Sequence, residues 1–126
     1  MLETGIKGQQ SEVVTKEKTA MEMGSGTLPV YATPAMIALM EKTAMLSVAP
    51  MLAQDEATVG TRLEISHLAA CGLDAQVRCE SILTEIDRKR LVFEVQAFEG
   101  ETLIGKGIHE RFIINTVKFM DKVNNR

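Results

Sequence analysis

The stretch Pro34-Ala-Met-Ile-Ala-Leu-Met-Glu41-Lys-Thr-Ala-Met-Leu-Ser-Val-Ala-Pro50 decides how this chain is read. It is apolar on nearly every side, the pattern of a helix surrounded by protein rather than lying on a surface. Thr33 suits the N-cap position. Pro34 suits the first helical position, where its missing N–H has no partner to lose. Pro50 marks the approximate end. Residues 34–53 are about long enough to span a bilayer. Glu41 and Lys42 in the interior argue against a span, because charge near the bilayer centre is costly. The expectation is therefore a helix buried in a soluble domain.

On both sides of this helix the pattern is that of strands. Downstream the period falls to two over Thr58–His67, with Val59, Thr61, Leu63 and Ile65 on one face. Leu68–Gly72 is a break. Leu73–Ile86 then alternates Ala75, Val77, Cys79 and Ser81 against Gln76, Arg78 and Glu80. Asp87–Lys89 and Glu99–Glu101 read as tight turns around a strand at Arg90–Phe98. Thr102–Ile114 is the last strand, and Thr116–Asn125 a short terminal helix. Upstream, Ser11–Ala20 reads as strand-like and Met21–Pro29, with Gly24 and Gly26, as a loop. The first ten residues, polar and without periodicity, read as flexible. Short turns imply antiparallel neighbours. The expected fold is a single α+β domain over residues 1–126, a curved antiparallel β-sheet wrapped around a long central helix. A flat sheet would leave more of this helix wet than its composition permits.

Composition narrows the function. A chain of 126 residues builds one core. Its net charge of −3 leaves no basic footprint for nucleic acid. The start of the chain has no apolar signal core, so the expected location is cytoplasmic, with no membrane partner. Cys71 and Cys79 form no metal or redox spacing and read as packed, reduced thiols. No phosphate loop, zinc spacing or dinucleotide fingerprint is present, so no metal or cofactor is expected.

Three side chains carry candidate chemistry. Thr33, at the helix start, caps the helix and can also touch a reacting group where free N–H groups suit a polarised carbonyl. Glu41 has Ile37, Ala44 and Met45 as its helical neighbours, none able to pair with it. It is either rescued by a distant donor or is a carboxylate of raised pKa serving as base or nucleophile at an apolar pocket. His67, ending a clean strand, is a structural histidine or a proton carrier. Eight helical residues rise about 12 Å, so Thr33 and Glu41 of one chain should not bond directly. Either a substrate lies between them or a second subunit supplies one member. His109-Glu-Arg111 reads mainly as a solvated charged face, with Arg111 a secondary candidate for anion binding. Gly60, Gly105 and Gly107 interrupt strands, as bulges or as places where a ligand approaches backbone.

Together, Tyr31-Ala-Thr33-Pro, Met40-Glu41, Thr58-Val-Gly60-Thr, Ile65-Ser-His67 and Gly107-Ile-His109-Glu-Arg111 resemble the fluoroacetyl-CoA thioesterase-like branch of the hotdog superfamily. The likeness runs from about residue 12 to residue 125. It implies the hotdog fold, a homodimer as active unit, and hydrolysis of an acyl-CoA thioester to free acid and CoA, the CoA being part of the substrate rather than a cofactor. Thr33, Glu41 and His67 match the family's catalytic threonine, glutamate and histidine. Gly60 matches a glycine beside the acyl group, and Arg111 is a further candidate for substrate binding. The specialised fluoroacetyl enzyme has phenylalanines before its threonine that help form a lid. Here Phe93, Phe98, Phe112 and Phe119 all lie far downstream, so the resemblance implies the hydrolysis and not the fluorinated substrate. Two alternatives share the fold: a hydratase or dehydratase of acyl thioesters, and a non-catalytic acyl-CoA-binding module.

Overall fold

A computed structural model describes all residues 1–126. Strand β1 (Lys7–Val13) is followed by a one-turn helix α1 (Ala20–Met23) and the long helix α2 (Thr33–Val48), which ends in a 3-10 turn at Ala49–Met51. Then come β2 (Glu56–His67), β3 (Gln76–Asp87), β4 (Arg90–Glu99), β5 (Thr102–Asn115) and helix α3 (Thr116–Asn124). The strands form one antiparallel sheet in the order β1-β3-β4-β5-β2. Helix α2 packs on one face of it, chiefly against β1 and β3. The expected architecture stands, with β1 spanning Lys7–Val13 rather than Ser11–Ala20, and with the short helix Ala20–Met23 overlapping the segment read as a loop.

Burial explains why α2 forms where it does. Ala35, Met36, Leu39, Met40, Thr43, Ala44 and Val48 face the sheet. Met36 and Met40 are fully buried, each contributing roughly 1.5–3 kcal/mol. That outweighs the missing side-chain cap, worth about 1 kcal/mol. Thr33 is not the N-cap: Ala32 holds that position, no side chain caps the helix, and Pro34 is at the second helical position. Nor is the helix buried all round. Met45 and Leu46 are 37% and 39% exposed, so an apolar stripe of α2 faces outward in the single chain.

The sheet's inner face continues the core through Val77, Cys79, Leu83, Leu91, Phe93, Val95, Ala97 and Ile104. Gly105 is explained by packing, since a Cβ there would meet Met36 Sδ at 2.5 Å. Both cysteines are buried and unpaired, and burial pushes the Cys79 thiol up to about 11. Strand β2 departs from regular pairing at one point. Its register with β5 shifts between Gly60 and Arg62, making Thr61 an extra residue. Gly60 then pairs with Arg111, Leu63 with His109 and His67 with Gly105. The expected single face of Val59, Thr61, Leu63 and Ile65 is thus broken. The bulge puts Gly60 on the same face as His67, seven residues away, which unbroken alternation would forbid.

Candidate active site

The inner face of β2 carries two polar groupings against α2. At one end, Thr33 Oγ1 lies 2.8 Å from His67 Nδ1. The Thr33 hydroxyl, freed from capping, thus faces the strand and not its own helix. His67 Nε2 is buried and finds no partner within the chain. Burial also pushes the imidazole below its usual 6.5, favouring the neutral ring, the form able to accept a proton.

At the other end stands Glu41. The rescue by a distant donor that helix spacing could not reveal is Arg111 of β5, whose Nη1 lies 3.6 Å from Glu41 Oε2. The Glu41 side chain stays 38% exposed while that of Arg111 is 7% exposed, so the carboxylate faces an opening with its counter-charge behind it. Its oxygen also lies against the backbone of β2, since a Cβ on Gly60 would stand 2.6 Å from Glu41 Oε2. Gly60 is therefore glycine because a carboxylate needs the space.

His109 and Arg111 are not a solvated face. Both are buried, at 0% and 5% exposure. Arg111 donates through Nε to Thr58 Oγ1 (2.8 Å) and through Nη2 to the Thr58 carbonyl (2.9 Å). Its Nη1 lies 3.1 Å from His109 Nε2. Sequence reasoning missed Thr58 and His109 as members of this cluster. The available signal was that Thr58, Gly60, His109 and Arg111 keep two-residue spacings, which put each pair on one face of its strand. What it lacked was which face lies inward.

The structure thus brings Thr33 to His67, and Glu41 to Gly60 and Arg111, but leaves the two groups apart. Gly60 and His67 are separated by about 23 Å of strand, and Thr33 and Glu41 by about 12 Å of helix. No His, Cys, Asp and Glu grouping has the form of a metal site. No helix is long and apolar enough to cross a membrane.

Comparison with known proteins agrees with this architecture. The family model FlK, fluoroacetyl-CoA-specific thioesterase, matches residues 14–117. The chain is 35% identical over 97 residues to the fluoroacetyl-CoA thioesterase of Streptantibioticus cattleyicolor, covering 77% of this chain and 70% of that protein. A solved structure of the fluoroacetyl-CoA thioesterase FlK superposes with a TM-score of 0.93 at 30% identity, over 100% of this chain and 98% of that one. A thioesterase superfamily member from Thermus thermophilus superposes with a TM-score of 0.90 at 28% identity, over 98% and 92% of the two chains. The fold is the hotdog fold, and the chain belongs to the FlK family of thioester hydrolases.

Proposed function

We propose that this protein hydrolyses an acyl-CoA thioester to the free acid and CoA, with Glu41 as the group that attacks the carbonyl or activates the attacking water. The observation that carries the reading is a half-exposed carboxylate held against a side-chain-free backbone at Gly60, with a buried arginine behind it. A thioester carbon can approach such a group closely, and a carboxylate either attacks it or deprotonates the attacking water. Thr33, at the start of α2, donates to or orients the carbonyl where the free N–H groups of the helix also point. His67, neutral and bonded to Thr33, accepts the proton that the attacking water gives up and passes it to the leaving thiolate. Related structures support CoA thioesters as the substrate class: one solved variant of the fluoroacetyl-CoA thioesterase is in complex with acetyl-CoA, another with fluoroacetate and CoA. The segment before Thr33 contains Met21, Met23 and Leu28, all exposed, and no phenylalanine. Selectivity for a fluorinated acyl group is not part of the proposal.

The separation of the two groupings supports a homodimer in which the Glu41 of one subunit and the Thr33–His67 pair of the other face one substrate. Strand β2 is an edge strand of twelve residues with no neighbour on its outer side, and the outward stripe of α2 carries Met45 and Leu46. Long unpaired edges and apolar stripes of this kind are covered in stable proteins. Light scattering should give twice the 13.8 kDa chain mass. An active monomer would end the shared-site argument.

The functional test is thiol release from a panel of acyl-CoAs, from acetyl to long-chain and aromatic, with wild type beside Glu41→Gln. Turnover in wild type and its loss in the variant is expected. More than a tenth of the activity remaining in Glu41→Gln would remove Glu41 from the central role. The variant also leaves Arg111 buried without a counter-charge, so we predict a stability loss of about 1–2 kcal/mol, below the roughly 3–5 kcal/mol of a fully buried pair because Glu41 is half-exposed.

A further inference from the structure

We propose that His109 and Thr58 form a fixed cradle that holds Arg111 in one orientation and thereby sets the carboxylate of Glu41, making His109, Thr58 and Arg111 positioning residues rather than a substrate anion site. The inference rests on the reading of Glu41 as the reacting carboxylate.

The polarity of each partner is fixed by chemistry. The Arg62 carbonyl, 2.9 Å from His109 Nδ1, can only accept, so Nδ1 carries the hydrogen. Arginine can only donate, so His109 Nε2, 3.1 Å from Arg111 Nη1, is bare. One neighbour on each side thus specifies a single neutral tautomer. The ring is fully buried and packs near Phe93, with centroids 6.3 Å apart. It has no room to turn and no solvent to exchange partners with.

Arg111 is accounted for almost completely. Of its five N–H groups, one goes to the Thr58 hydroxyl, one to the Thr58 carbonyl, one to His109, and one faces Glu41. A guanidinium held at three points in its own plane presents its remaining edge in one direction, and that direction is Glu41. An arginine meant to grip a CoA phosphate would leave a two-pronged edge toward solvent, whereas this one is 5% exposed. The β2 bulge is part of the device. Thr58 and Arg62 stand on either side of the extra residue Thr61, so the same strand supplies the bonds to both Arg111 and His109. At Gly60, between them, the nearest atoms to an added Cβ would be Glu41 Oε2, His109 Cε1 and Arg111 Nη1.

The test compares His109→Leu, His109→Gln and Thr58→Val in full-length protein, with kcat and KM measured on the best acyl-CoA of the panel. Gln places an amide oxygen where Nε2 accepts from Arg111, whereas Leu offers none. We expect His109→Leu to lower kcat about tenfold or more with KM within about twofold, Gln to recover most of the loss, and Thr58→Val to lie between. Nitrogen-15 NMR of histidine-labelled wild type should find His109 protonated at Nδ1 only, a readout that needs no turnover. A kcat within twofold of wild type in His109→Leu or in Thr58→Val overturns the proposal. So does a loss confined to KM, or a His109 protonated at Nε2. If His109→Leu fails to fold, Thr58→Val and the Gln variant decide in the same way. Should wild type hydrolyse no thioester at all, the proposed function fails, while the NMR tautomer still judges the cradle by itself.

Discussion

Gly60→Ala is the substitution whose consequence follows most directly from the geometry. The new Cβ would stand 2.6 Å from Glu41 Oε2, while ordinary contact begins at 3.4 Å, so the carboxylate must retreat by about 0.8 Å. The other two neighbours, His109 Cε1 at 3.3 Å and Arg111 Nη1 at 3.4 Å, need move little. Retreat is structurally cheap because the carboxylate is the far end of a flexible side chain. On the role proposed for Glu41 it is chemically costly, since misplacing a reacting group by about 1 Å can lower a rate about 100-fold. We therefore predict kcat down by roughly 30- to 100-fold. Stability should not follow. Gly60 does not occupy a positive-φ conformation, so alanine fits the backbone and restricts the unfolded chain, a gain of about 0.4–1 kcal/mol that offsets the contact. The assay is steady-state hydrolysis alongside thermal melting, in wild-type and Glu41→Gln backgrounds. In the Glu41→Gln background the alanine should add nothing further, because the group it displaces has already lost its function. A kcat within threefold of wild type for Gly60→Ala would refute the placement of Glu41 at the reacting centre.

Two further outcomes are expected. Thr33→Val removes the hydroxyl bonded to His67, and because Thr33 caps nothing, activity should fall at least tenfold while stability changes by less than about 0.5 kcal/mol. A loss near 1 kcal/mol with activity kept would restore Thr33 to a structural role. Burial, the largest cause in each case, holds both His67 and His109 below their usual 6.5. The unfolded chain therefore takes up protons first as pH falls through that value. Stability is fully present above about pH 6.5 and is lost as pH drops through the folded values. Melting curves at pH 7.5 and 5.0 should show the drop, and it should shrink in His109→Gln. An equal drop in that variant would exclude His109 as a source.

The architecture was legible because each element announces itself locally. The apolar run between Pro34 and Pro50 could only be a helix packed on protein, and the alternation of Val77, Cys79 and Leu83 could only be a half-buried strand. Glu41 stood out for the same reason, as a charged group in a setting that did not provide for it. Two readings failed at the same kind of point. Capping by Thr33 and solvation of His109 and Arg111 were judged by position in an element, and a competing partner on another element decided both.

The sequence by itself determined the element order, the antiparallel pairing and the residue types available for chemistry, since periodicity and turn chemistry are properties of neighbouring residues. Tertiary structure alone decided which of them meet. Arg111 reaches Glu41 across some seventy residues of chain, a pairing that no local spacing encodes. The bulge at Thr61 decided more still. Gly60 and His67 differ by an odd number, so a regular strand would turn one of them away from α2. A single extra residue in β2 brings both to the face that carries Glu41 and Thr33.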